Sequence, residues 1–189
     1  MDYLIYLILI YLILSFNAME IIYTETIIKA TKLVCNPSPK YFVNHSCRLK
    51  AVNRYKTLAF METYIRNELR NVSVNVGLYA RNDVNTYNPF LVNFTQNMCW
   101  YLNNRRFGTY MKIFMEILNQ YTNVNHSCPL KGLLMAKNLY FEGNAVSSMF
   151  PKGSYKCILI FYEGYPSEYI GTVEYYADLY DKNMAKRKN

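Results

Sequence analysis

Residues 69–79 alternate between apolar and polar side chains: Val72, Val74, Val76 and Leu78 share one side of an extended chain, Asn71, Ser73 and Asn75 the other. Phe90 to Thr95 repeats the pattern, with Phe90, Val92 and Phe94 opposed to Leu91, Asn93 and Thr95. One wet face and one dry face is the habit of antiparallel sheets. Further strands are expected at Cys47–Tyr55, Thr57–Ile65, Leu133–Tyr140, Tyr155–Tyr162 and Tyr169–Tyr176, and Ile21, Ile22, Tyr23, Ile27 and Ile28 supply material for an eighth. Turn signals separate several of them, at Asn82-Asp83, Tyr87-Asn88-Pro89, Pro151-Lys152-Gly153 and Gly164-Tyr165-Pro166. Strands at this spacing predict a mostly β chain folded as an antiparallel β-sandwich rather than alternating βα units.

One stretch departs from period two. From Arg105 to Tyr121, Phe107, Tyr110, Phe114, Ile117, Leu118 and Tyr121 recur every three or four residues, which predicts one inserted amphipathic α-helix. Cys99 and Cys128 flank it, so a bridge between them would pin the insertion to the sheets.

The first residues read as a signal peptide: an apolar run from Leu4 to Leu14, then Ser15-Phe16-Asn17-Ala18. The run is short of the ~20 apolar residues of a membrane span. Cleavage is expected after Ala18, with an uncleaved anchor as the alternative, because Asp2 and Phe16 depart from the usual signal pattern. Residues 19–189 then form a single domain. Twenty tyrosines and ten phenylalanines add to the strand preference.

The pentapeptide Val-Asn-His-Ser-Cys occurs at 43–47 and again at 124–128. Each copy joins an Asn-X-Ser acceptor to a cysteine, a combination that belongs to an oxidising secretory compartment. Asn44, Asn71, Asn93 and Asn125 are the four candidate glycosylation sites. A secreted, extracellular glycoprotein is therefore expected. The net charge of +8 is spread along the chain apart from Arg105-Arg106 and the tail from Lys182 to Lys188. That offers no basic stripe for nucleic acid and at most peripheral contact with acidic lipid head groups.

Five cysteines, Cys35, Cys47, Cys99, Cys128 and Cys157, allow several pairings. Cys35–Cys47 and Cys99–Cys128 are favoured, each closing a loop whose ends can meet. Cys157 is then left inside a strand, either as a buried thiol or as the partner of an intermolecular or alternative bridge, for instance with Cys35. Catalytic chemistry is poorly served. Both histidines, His45 and His126, sit inside glycosylation triplets, no Cys-X-X-Cys or His-X-X-X-His spacing exists, and no Gly-X-Ser-X-Gly elbow is present. The carboxylates are scattered. No enzyme, metal site or cofactor is expected.

Taken in order, Cys47-Arg-Leu-Lys50 with Asn53-Arg54, Tyr87-Asn-Pro-Phe-Leu91, Cys99-Trp-Tyr-Leu102, Asn123-Val-Asn-His-Ser-Cys-Pro129 and Pro151-Lys-Gly-Ser-Tyr155 form a specific set. With it the chain, from about Cys35 to Tyr176, resembles an insect family, best represented in flies, of small secreted proteins catalogued as a domain of unknown function. That family is similar to the ML superfamily of lipid-recognition domains, with its ganglioside activator and sterol carriers. Some fly relatives are associated with gustatory bristles and pheromone response. The resemblance implies an immunoglobulin-like, ML-like sandwich holding an apolar ligand between two sheets, and no catalytic residues. Cys157 and Leu130 depart from the family pattern.

The expected function is a secreted binding protein for an apolar small molecule: a lipid, hydrocarbon or pheromone-like ligand. Val72, Val74, Val76, Phe90, Phe94, Phe114, Leu159 and Phe161 are the candidate lining residues, each also suited to plain core. The alternative is a secreted interaction module with a filled core that meets a protein partner or receptor through aromatic edges such as Tyr175, Tyr176 and Tyr180.

Overall fold

In the computed structural model, residues 25–104, 112, 115, 116, 118–143 and 150–182 are described. The signal-like segment 1–18, Ile21, Ile22, Tyr23, Phe114 and the basic tail from 183 onward lie outside them. Eight strands run in chain order: β1 (Thr26–Pro37), β2 (Phe42–Ala51), β3 (Thr57–Leu69), β4 (Val72–Arg81), β5 (Tyr87–Asn97), β6 (Leu130–Leu139), β7 (Gly153–Glu163) and β8 (Glu168–Asp181). They form two antiparallel sheets, one of five strands ordered β1-β8-β7-β4-β5 and one of three ordered β2-β3-β6. The molecule is a mostly β, antiparallel β-sandwich with a helical insertion between β5 and β6.

The alternation of 69–79 sets the inner face of β4. Val72, Val74 and Val76 are buried while Asn71 is exposed. Across the ladder, Val74 faces Phe161 and Val76 faces Leu159, so the apolar sides of β4 and β7 make one wall. The polar side is knitted by amides: Asn75 Nδ2 donates to Asn93 Oδ1 and to Thr95 Oγ1, at 3.3 and 2.9 Å.

Turn chemistry ends the strands. Asn53 Oδ1 accepts from the backbone N–H groups of Tyr55 and Lys56, both at 2.8 Å, so β2 stops at Ala51 instead of running on to Tyr55. At the β4–β5 hairpin Asn82 Oδ1 accepts from Thr86 N–H at 2.8 Å, and Asn85 takes the left-handed backbone (φ 62°) that asparagine tolerates. The chain crosses between sheets at Arg70-Asn71, whose N–H groups both donate to Glu163 Oε1, at 2.9 and 3.1 Å.

A helix, α1 (Met98–Asn104), follows β5 directly and buries Met98, Cys99, Tyr101 and Leu102. The period-four reading from Arg105 did not extend to it. Within that later window, Lys112, Met115, Glu116, Leu118 and Asn119 are helical, with Met115 only 1% exposed and Lys112 paired to Glu116 one turn on, at 3.8 Å, on the wet side. The rest of the window is outside the described residues.

Two disulfides tie these layers. Cys35 on β1 is bonded to Cys47 on β2 with Cα atoms 6.1 Å apart, a bridge between the sheets. Cys99 on α1 is bonded to Cys128 just before β6, at 5.5 Å. Cys157 is a free thiol. Tyr175 and Tyr176, grouped above as surface contacts, point opposite ways, as neighbours on a strand must. Tyr175 is paired with Cys157 and stacks edge-on against Phe141, whereas Tyr176 is paired with Lys156 and meets Tyr87.

Candidate functional site

The two sheets do not close on each other completely. A cavity of about 220 Å3 lies between them. The five-stranded sheet contributes Val72, Leu159, Phe161 and Val173 to its wall. The three-stranded sheet contributes Phe42, Met61 and Leu134, and Met98 and Met115 cover the helical end.

The inner residues explain why space is left. On β3 the inward positions over the cavity, Met61 and Thr63, carry a flexible and a small side chain where a filled sandwich would carry large ones. Opposite them β8 presents Gly171. A β-carbon there would sit 3.2 Å from Pro37 Cα and 3.3 Å from Asn36 O, so the close approach of β1 keeps this position bare. Neither side fills the middle.

The wall is almost entirely carbon and sulfur. Four of its residues are methionines, Met61, Met98, Met115 and Met135, whose unbranched side chains repack around differently shaped contents. The polar lining residues His45, Ser46 and Glu62 are exposed, so they mark where the cavity meets solvent. That rim lies where β2 bulges: Val43 pairs with Tyr64 and Ser46 with Glu62, leaving Asn44 and His45 opposite Thr63. Asn44 takes a left-handed backbone there, with φ 52°.

Of the lining residues expected from sequence, Val72, Leu159 and Phe161 line the cavity. Val74 and Val76 are instead packed in the adjoining core, and Phe94 packs against that core. Phe90 belongs to an aromatic cluster with Phe150 and Tyr155, ring centres 6.2 and 5.7 Å away. Phe114 lies outside the described residues. The methionines were missed. They are far apart in the chain and none belongs to a strict alternation; the only hint was their number, nine.

Electrostatics agree with a dry interior. Burial pushes the Cys157 thiol up to about 11, and burial, followed by the nearby Tyr140 and Cys157, pushes the Tyr175 phenol up further still. At the surface, Glu168 accepts from Lys40 Nζ at 2.7 Å and from Tyr41 O–H at 2.6 Å, and these bonds hold its carboxyl below the usual range. Among the described residues no three His, Cys, Asp or Glu side chains cluster to hold a metal ion. All four asparagines of the Asn-X-Ser/Thr triplets, Asn44, Asn71, Asn93 and Asn125, are exposed. Among the described residues no helix is long and apolar enough to cross a membrane.

Residues 74–157, from within β4 to within β7, match a family described as "Protein of unknown function (DUF1091)". No curated protein matches the chain. Among solved structures, a Niemann-Pick type C2 protein from Japanese carpenter ant is similar at 13% identity over 82% of this chain and 93% of that one, with a TM-score of 0.29.

Proposed function

We propose that this chain is a secreted, non-enzymatic binding protein that holds one apolar small molecule between its two sheets. The observation that carries the reading is the cavity of about 220 Å3 with a wall of carbon and sulfur. An apolar cavity of about 150 Å3 accepts benzene and stays dry when empty. The space here is larger than that and below the roughly 300–1,000 Å3 of drug-sized pockets. It suits a single hydrocarbon chain or a small ring system; a bulkier ligand requires the sheets to separate further.

Two disulfides and four exposed acceptor asparagines support an oxidising, secretory setting. An interaction module built on a filled core has no use for the methionine-lined space. The exposed polar side chains of the wall, His45, Ser46 and Glu62, lie at its rim.

The test is direct. The purified chain is loaded with a neutral fluorophore such as N-phenyl-1-naphthylamine, and its organic extract is analysed by mass spectrometry. Saturable, blue-shifted fluorescence is expected, lost on replacing the buried Ala136 with Phe, which puts a ring into the cavity. Absence of both saturable binding and any extractable apolar compound would overturn the proposal.

A further inference from the structure

Leu91 is out of character with its place. It lies on β5, an edge strand of the five-stranded sheet, and is 76% exposed. Its backbone is left-handed, with φ 53°, a conformation that a side chain with a β-carbon disfavours. The cause is a bulge: Tyr79 pairs with Pro89 and Gly77 with Asn93, so Leu78 alone opposes Phe90, Leu91 and Val92. Phe90 packs with Phe150 and Tyr155, and Val92 packs against the core, which leaves Leu91 turned out to solvent. An edge strand of eleven residues with an exposed leucine is a template for pairing with another chain.

Two residues further along stands Asn93, the acceptor of the triplet Asn93-Phe94-Thr95. Alone of the four acceptor asparagines it has a ladder partner, Gly77. Its carboxamide is oriented by Asn75. Asn75 Nδ2 lies 3.3 Å from the carbonyl oxygen of Phe94, which can only accept, so the Asn75 atom there is the nitrogen. The same nitrogen donates to Thr95 Oγ1 at 2.9 Å and to Asn93 Oδ1 at 3.3 Å, so Asn93 turns its oxygen toward β4. Asn93 Nδ2, the atom that carries a sugar, then points away from β4.

The β4 side is closed in any case. Gly77 is buried, and a β-carbon there would meet the Tyr79 ring at 3.0 Å, so that ring already covers the ground beside Asn93. The open direction is the free edge of β5. Leu91 stands on that edge one side-chain repeat away, about 7 Å along the strand.

Resting on the secretory reading above, we infer that the sugar on Asn93 is part of the fold: its first N-acetylglucosamine lies over Leu91, and the glycan beyond it shields the free edge of β5 from a second copy of the chain. The C–H face of the sugar ring meets the leucine while its hydroxyls face water. One apolar side chain leaves the solvent, and a bare sheet edge becomes wet and bulky.

The experiment uses the full chain secreted from a eukaryotic host, with glycopeptide mass spectrometry at each triplet. Urea unfolding is then compared for the unaltered chain, Leu91→Ser, Asn93→Gln and the double variant. Sugar on Asn93 is expected. Leu91→Ser should lower the urea midpoint by roughly 0.3–0.5 M where that sugar is present, the scale of exposing part of a leucine. In the Asn93→Gln background the same change should leave the midpoint unmoved, because the leucine there has nothing to pack against. An equal shift in both backgrounds overturns the contact. Light scattering at rising concentration reads the edge: Asn93→Gln self-associates where the unaltered chain stays monomeric, and Asn93→Gln/Leu91→Lys, which places a charge on the bare edge, returns to monomer. A monomeric Asn93→Gln chain overturns the shielding role. If Asn93→Gln is not secreted, the folded glycoprotein with and without Leu91→Ser is stripped by peptide-N-glycosidase and the same comparison is made. Sugar at the other triplets but not on Asn93 overturns this inference alone; sugar at none of them overturns the secretory reading with it.

Discussion

Gly143 has no room for a side chain. A β-carbon built there falls 1.8 Å from the carbonyl oxygen of Thr26, at the first residue of β1, so backbone must move to admit it. Gly143→Ala is expected to lower the stability to urea by about 2 kcal/mol or more. A change within about 0.5 kcal/mol would show that β1 shifts freely. The sequence around Gly143 contains no sign of this approach, because it arises between residues more than a hundred positions apart. Cys157 is different, since its place beside Leu159 and Phe161 in a strand already indicated a buried face. Its thiol is pushed from 9.0 up to about 11 by burial. Little thiolate forms in the folded chain at pH 8, so alkylation by iodoacetamide at that pH should be slow and become fast on unfolding. The sign for stability follows. The folded state prefers the protonated thiol, so its contribution is complete below pH 9.0 and is lost as the pH rises toward about 11. Urea midpoints measured across that window should fall, and less steeply in Cys157→Ala; an equal slope in the variant would assign the loss to the tyrosines alone.

At the scale of elements, legibility tracked contrast between faces. β4 and β5 were readable because Asn71, Asn75, Asn93 and Thr95 stay wet while Val72, Val74 and Phe94 turn inward. β3 was readable as a strand, yet its faces were not: Leu58, Phe60 and Tyr64 lie on the side opposite Ala59, Met61 and Ile65, so hydrophobicity alone does not say which faces the cavity. α1 was missed because Met98–Asn104 is only seven residues long, too short for periodicity to register, and gains its place by burying Cys99 and Leu102. The bridge between Cys35 and Cys47 joins an edge strand of one sheet to an edge strand of the other. Replacing both cysteines with alanine should cost roughly 2–4 kcal/mol, read as a shift in the urea midpoint under oxidising conditions. An unchanged midpoint would mean that packing alone holds β1 against β2.

For the whole molecule, the sandwich architecture followed from strand spacing, whereas the cavity did not. Its wall is assembled from both sheets and the helical insertion, and the small residues at its middle are Thr63 and Gly171, which look unremarkable one at a time. The position of the Cys35–Cys47 bond adds a mechanical condition. Cys35 is itself part of the cavity wall, so the distance between the sheets is fixed by a covalent clamp at that corner. Any widening to admit a longer chain must be a rotation about the clamp, largest at the far side, where Met98, Met115 and Leu118 form the wall. For the container proposed above the clamp is a hinge: cleaving it converts a rotation with one fixed edge into free separation of two leaves, which ties retention of the proposed ligand to the redox state of the surroundings.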